Sequence, residues 1–259
     1  MATKKLKRIV IKVGTAVLTD NNNIAKERMM NLVTLIANLK KTYDVILVTS
    51  GAVAAGYSAL KLDKSKQIGR KALAAAGQPI LMSSYKSMFA IYEMDTAQIL
   101  LTEDDFDSRK RTIMFQEIIN THLNYDIVPI INENDITSTP EQTFGDNDQL
   151  SANVAYATDA DLLVILSDID GYYDKNPRDF RDAKIIKEIS EIPKEALADD
   201  CSANNDFATG GIVTKLKAAD LLIKRGKQMF LCNGFDLIGA EDYLFKGEHN
   251  LGTLFKPKK

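Results

Sequence analysis

Ile9-Val10-Ile11-Lys12-Val13-Gly14-Thr15 is a β-branched apolar run broken by one lysine and closed by a glycine. It lacks the alternation of a strand with one wet face, so it reads as a strand buried on both sides, as in a parallel sheet. Similar runs follow at Val45–Thr49, Ile99–Leu101, Ile127–Ile131, Leu162–Leu166 and Met229–Cys232. Helical patterns lie between them. Met29, Leu32, Val33 and Ile36 keep i, i+3, i+4, i+7 spacing, with Lys40 and Lys41 near the end. Ala72–Met94 predicts a longer helix, interrupted near Gly77 and Pro79; Phe115, Ile118, Ile119 and His122 mark another. Leu150–Ala157 and Val213–Ile223 supply two more. Strands alternating with helices predict an α/β domain with right-handed crossovers and helices on both faces of the sheet. Pro177–Asp182 and Asp199–Asn205 are polar connectors, the second the better candidate for a mobile loop.

Bulk properties narrow the function. The 259 residues suit one large α/β domain, and the hydrophobic and charged fractions, 45% and 26%, are those of a globular protein with a core of normal size. Thirty-three basic and 35 acidic residues leave a net charge of −2, with no electrostatic footprint for nucleic acid or an anionic membrane. The terminal clusters Lys4, Lys5, Lys7, Arg8 and Lys256, Lys258, Lys259 read as solvated ends. Cys201 and Cys232 imply neither a disulfide framework nor a metal site, which fits a reducing compartment. No apolar run reaches membrane-spanning length and no secretion signal is visible, so the expected location is cytoplasmic.

In open α/β sheets ligands gather beyond the carboxyl ends of the strands. After the first strand, Gly14 permits close backbone approach and Lys12 can reach phosphate oxygens as a point charge; an ordinary turn after a strand-end lysine is the competing reading. After the second come Ser50-Gly51-Ala52-Val53-Ala54-Ala55-Gly56, small residues that open a helix whose free N–H groups suit an anion. After the fourth come Asn132-Glu133-Asn134-Asp135 and then Gly145-Asp146-Asn147-Asp148. Such amides and carboxylates can hold a substrate's ammonium and carboxylate groups, beyond the turn chemistry they also favour. After the fifth, Ser167 and Asp168 either cap a turn or line a nucleotide pocket. Thr209-Gly210-Gly211-Ile212-Val213-Thr214-Lys215 is a glycine turn feeding a helix, where N–H groups, helix dipole and lysine can converge on phosphates. It lacks Walker A spacing. No dinucleotide fingerprint follows the first strand, and no serine-nucleophile elbow or metalloprotease motif is present. His122 and His249 read as structural or surface residues, Tyr172 and Tyr173 as packing residues.

Together, in this order and over nearly the whole chain, these segments resemble the amino acid kinase family. Asn132-Glu133-Asn134-Asp135 with Phe144-Gly145-Asp146-Asn147-Asp148 points within it to the branch that phosphorylates glutamate. The resemblance implies a three-layer α/β/α sandwich with a mainly parallel central sheet. It implies a substrate half over about residues 1–160 and a nucleotide half over 161–259, within one sheet. It implies Mg-ATP and transfer of the γ-phosphoryl group to the side-chain carboxylate of L-glutamate, at the start of proline biosynthesis. By matched position, Ser50, Gly51, Asp135 and Asn147 are expected to bind glutamate. Lys12, Gly14, Ser167, Asp168 and Thr209, Gly210, Gly211, Ile212, Val213, Thr214, Lys215 are expected to bind ATP. Lys12 and Lys215 are the expected catalytic cations, with Asp148 orienting both. Mg²⁺ is expected to sit mainly on ATP phosphates, with no dedicated protein metal site.

The family also suggests a homo-oligomer, proline as a feedback inhibitor and functional coupling to a glutamyl phosphate reductase. Members often carry Thr-Asp where this chain has Ser167-Asp168, which keeps the hydroxyl. Many bacterial members add a C-terminal RNA-binding-like domain called PUA; the sequence stops soon after Gly252-Thr253, and the expectation is a short form without it. Rival readings are a sister kinase acting on acetylglutamate, aspartate, carbamate or UMP, a nucleotide-binding protein without turnover, and a nucleic-acid-binding protein.

Overall fold

A computed structural model of the chain describes residues 7–138, 147–177, 179–197 and 210–258. In chain order its elements are β1 (Arg8–Val13), α1 (Thr15–Leu18), β2 (Thr19–Asp20), β3 (Asn23–Ile24), α2 (Lys26–Leu39), β4 (Asp44–Val48), α3 (Ala52–Ala59), α4 (Gln67–Phe89) and β5 (Thr96–Leu101). Then come α5 (Asp104–Asp107), α6 (Arg109–Asn124), β6 (Val128–Glu133), α7 (Asn147–Ala157), β7 (Leu162–Ser167), β8 (Glu188–Ile189), α8 (Gly210–Lys224), β9 (Gln228–Asn233), α9 (Ile238–Glu241) and β10 (Thr253–Phe255). The phrase Asp199–Asn205, Cys201 and Thr209 lie outside the described residues, as do Phe144, Gly145 and Asp146.

The main sheet has eight strands in the order β5-β6-β4-β1-β7-β9-β10-β8. From β5 to β9 all neighbours run parallel, and β10 is antiparallel to β9. β1 is the hinge of this order: its successor β4 pairs on one side and β7 on the other, with Lys12 level with Val48 and Ile165. A reversal of strand order at this point opens a crevice beyond the carboxyl ends of the strands.

The pleat divides the core into two apolar layers. Ile9, Ile11 and Val13 of β1 face a layer that includes Leu32, Val33 and Ile36 of α2 and Leu81, Tyr85 and Phe89 of α4. Val10 faces the opposite layer, with Leu150 and Val154 of α7 and Leu216 and Leu222 of α8. Successive side chains of a strand alternate, so Lys12, two residues on from Val10, points to the α7–α8 side. The result is the expected three-layer α/β/α arrangement. No helix among the described residues is long and apolar enough to cross a membrane.

Several local expectations need correction. The helix expected as Ala72–Met94 with a break is one uninterrupted helix, Gln67–Phe89, that runs through both Gly77 and Pro79. Gly77 is there for close packing: a Cβ on it would sit 1.8 Å from the Ala52 carbonyl oxygen of α3, and one on Gly56 would sit 1.9 Å from that of Leu73. Pro79 lies on the exposed side, where one lost helical N–H costs least. In α6, Phe115 and Ile119 are buried but Ile118 is exposed, so the buried face is narrower than the spacing suggested. β5 starts earlier than Ile99 because an edge strand also recruits the polar Thr96 and Gln98. β8 and β10, two and three residues long, were not anticipated.

Ala replacement of a helix glycine ordinarily stabilises by about 1 kcal/mol. Gly77→Ala should do the opposite, lowering unfolding free energy by at least ~2 kcal/mol through the α3–α4 clash. Urea unfolding measures this; a neutral or stabilising Gly77→Ala would contradict the close-packing account.

Candidate active site

A cavity of about 920 Å³ opens beyond the carboxyl ends of β1, β4, β6 and β7. Most of the residues singled out in the sequence line it: Lys12, Gly14, Ser50, Gly51, Asp135, Asn147, Ser167, Asp168, Gly211 and Lys215.

Its floor is a charge triad. Asp148, in the first turn of α7, is fully buried. Its Oδ1 lies 2.6 Å from Lys12 Nζ and its Oδ2 lies 3.0 Å from Lys215 Nζ. The Thr214 hydroxyl donates to Oδ2 at 3.0 Å, and Lys215 Nζ also donates to the Gly211 carbonyl at 3.0 Å. Lys12 and Lys215 are 3% and 6% exposed, so both ammonium groups are fixed rather than waving in solvent. Two cations against one anion leave an excess positive charge at the base of the cavity. Positive charge there suits an anion, and Gly211 in the first turn of α8 lines the same cavity.

A buried polar array lies on the β4–β6 side. Asn147 Nδ2 donates its two hydrogens to the Thr49 carbonyl at 2.5 Å and Asn132 Oδ1 at 2.8 Å, with Ser50 Oγ 3.2 Å away. Gly51, just before α3, has φ of +99°, a left-handed conformation that favours glycine and turns the chain into the helix. Asp135 sits on the loop after β6. Burial, and secondarily the charge of Glu133, push its carboxyl up to about 6, against the opposing pull of Arg70 and Lys71. Lys71 Nζ pins this loop by donating to the carbonyls of Ile136 at 3.0 Å and Ser138 at 2.7 Å.

Ser167 Oγ donates to Asp168 Oδ1 at 3.0 Å at the end of β7, and both line the cavity. Ile212 and Val213 do not: their side chains are buried in the α7–α8 layer, so this segment can meet a ligand there through backbone N–H groups only. Thr214 turns instead to Asp148. His249 packs edge-on against Phe230 and Tyr243, and the Cys232 thiol is buried and pushed up to about 12, so it is inert near neutral pH. Among the described residues no group of three or more His, Cys, Asp or Glu is placed to hold a metal ion.

Sequence reasoning did not single out Arg70, Lys71, Glu133 and Ser138, which also line the cavity. Glu133 stood inside the quoted Asn-Glu-Asn-Asp cluster. Arg70 and Lys71 carried no local signal, because they meet the β6 loop only once α4 packs beside it.

Comparison with known proteins agrees with this geometry. Residues 7–233 match the model of the amino acid kinase family. A glutamate 5-kinase of Wolinella succinogenes is 54% identical over 255 residues, covering 96% of this chain and 98% of its own. One from Leishmania donovani is 50% identical, covering 97% and 96%. The structure of isopentenyl phosphate kinase from T. acidophilum superposes with a TM-score of 0.65 over 96% of this chain and 99% of its own, at 16% identity, a likeness of fold. A parallel sheet with a switch at β1, a lysine on β1 and another on α8 held on one buried aspartate, and a family match over residues 7–233 place this chain in the amino acid kinase family.

Proposed function

We propose that the protein transfers the γ-phosphoryl group of ATP to the side-chain carboxylate of L-glutamate, giving L-glutamyl 5-phosphate, the first step of proline biosynthesis. One observation carries the reading: Lys12 and Lys215, held on Asp148, share a cavity with Asp135 and Asn147. The relatives named glutamate 5-kinase support the choice of acceptor.

Both reactants are anionic, so the chemistry is mainly positioning and charge neutralisation. Lys12 reaches the transferring phosphoryl group from β1 and Lys215 reaches it from α8, and each neutralises charge on its oxygens. Asp148 holds both ammonium groups in place. The nucleotide phosphates lie against Gly14 and the N–H groups of the Gly210–Lys215 turn, with Ser167 and Asp168 at the β7 end. Ser50, the N–H groups after Gly51 and Asn147 orient glutamate, and the Asp135 carboxylate accepts its α-ammonium group. No general base is required, since the acceptor carboxylate is already ionised. Magnesium would be held mainly by the ATP phosphates, with Asp168 the lining carboxylate at the β7 end, and would neutralise triphosphate charge. The substrate and nucleotide halves meet at β1 and β7. A cytoplasmic setting, homo-oligomer formation and inhibition by proline belong to the same proposal. So does coupling to a glutamyl phosphate reductase, because acyl phosphates are labile.

The direct test is ADP release from Mg-ATP with hydroxylamine present to trap an acyl phosphate. Acetylglutamate, aspartate, carbamate and UMP are run beside glutamate. Hydroxamate with glutamate alone is expected. Turnover with another acceptor, or with none, would overturn the assignment.

Asp135 adds a pH dependence. With a folded-state value near 6 it must lose its proton to bind an ammonium group. kcat/KM for glutamate should therefore fall about tenfold per pH unit below roughly pH 6, with kcat falling less. The same raised value means that the folded state holds the proton more tightly than the unfolded chain, so the ionised carboxylate destabilises the fold above pH 6. That penalty fades as pH falls from 6 towards 3.8. Asp135→Asn should raise both Tm and the KM for glutamate at pH 8, with the Tm gain shrinking towards pH 4. An unchanged KM would remove Asp135 from the substrate site.

A further inference from the structure

Behind the glutamate site a file of buried amides runs from the cavity to the edge of the sheet. Asn147 Nδ2 donates to Asn132 Oδ1 at 2.8 Å, Asn132 Nδ2 donates to Gln78 Oε1 at 2.8 Å, and Gln78 Nε2 donates to Gln98 Oε1 at 3.2 Å. The four side chains come from α7, β6, α4 and β5. Gln98 and Asn132 share a sheet face, since Gln98 is level with Ile130 and Leu100 with Asn132. Asn147, Asn132 and Gln78 are 8%, 3% and 9% exposed, while Gln98 at the sheet edge is open to water.

The direction of this file is not arbitrary. A carboxamide can be turned end for end at little steric cost, so its neighbours must decide which atom is which. Two backbone groups do so here. The Thr49 carbonyl can only accept, so the Asn147 atom 2.5 Å from it must be Nδ2. The Glu133 N–H can only donate, so the Asn132 atom 2.9 Å from it must be Oδ1. Asn132 therefore presents Nδ2 to Gln78, which must answer with Oε1. With Nδ2 of Asn147 committed to Thr49 and Asn132, Oδ1 is the carboxamide atom left for a ligand, and it can only accept. An inverted Asn132 would face the Glu133 N–H and Asn147 Nδ2 with a donor. That would put three donors together in a buried site, where an unmet polar group is costly.

We propose that Gln78 is a positioning residue for glutamate: by accepting from Asn132 Nδ2 it holds the Asn132 side chain, whose sense the Glu133 N–H has set, in place against Asn147 Nδ2, and so steadies the Asn147 amide beside the substrate. Gln78 does not line the cavity and touches no substrate itself. The inference rests on reading this cavity as the glutamate site.

Substitution separates this role from a packing role. Gln78→Leu keeps the approximate volume and removes the acceptor. It should raise the KM for glutamate about tenfold, with kcat and the KM for ATP within about twofold of wild type. Gln78→Glu should restore the glutamate KM to within about threefold of wild type below the pKa of the new side chain, because a protonated carboxyl reproduces the carbonyl acceptor and the outward donor of the amide. Gln98→Leu, at the wet end where water can replace the lost partner, should change the glutamate KM less than about twofold. A folded Gln78→Leu with unchanged glutamate KM would overturn the proposal, as would equal defects in Gln78→Leu and Gln78→Glu across the pH range. Absence of glutamate-dependent turnover in the wild-type protein would overturn the reading beneath it, which the control reveals before any variant is compared.

Discussion

Asp148 lies fully buried between two ammonium groups, 2.6 Å from Lys12 and 3.0 Å from Lys215. A buried carboxylate is costly unless paired and hydrogen-bonded. Here one anion holds two cations from distant parts of the chain, with the Thr214 hydroxyl as a further donor. Without it the two ammonium groups at the base of one cavity would repel each other. The rest of the site depends on this exchange. The aspartate fixes both lysines at the base of the cavity.

The fold supplies this arrangement through elementary rules. β1 lies between β4 and β7, so its end is a switch point. The pleat sends Ile9, Ile11 and Val13 to one apolar layer and sends Val10, with Lys12 after it, to the other, where α7 and α8 begin beside the cavity. The polar array of Ser50, Asn132 and Asn147 is built separately, from the ends of β4 and β6 and the start of α7. Asp135 is half-buried beside Glu133, and Arg70 and Lys71 offset the cost of its ionised form only in part.

The sheet was legible because its strands are long apolar runs, and β1, β4, β6, β7 and β9 came within a residue or two of their observed bounds. The short β8 and β10 were not, since two or three residues carry no pattern. Gly77 and Pro79 misled because helix propensity was read without the α3 contact that needs a bare Cα at Gly77. In the site, residues at or just after strand ends were visible, Lys12, Ser50, Asp135 and Ser167, as was Asn147 at the start of α7. Ile212 and Val213 were carried along by their motif and proved to be core. Gln78, Arg70 and Lys71 were invisible for a shared reason. They sit on a long helix whose relation to β6 is set by tertiary packing, which no local spacing encodes.

The most direct test of this account is the steady-state kinetics of Asp148→Asn, with its folding checked by circular dichroism. Asparagine keeps the shape and removes the charge that holds Lys12 against Lys215. The account predicts a fall in kcat of about 10²–10³, with KM values for ATP and glutamate within a few-fold of wild type. A folded Asp148→Asn protein whose kcat stays within about twofold of wild type would contradict it.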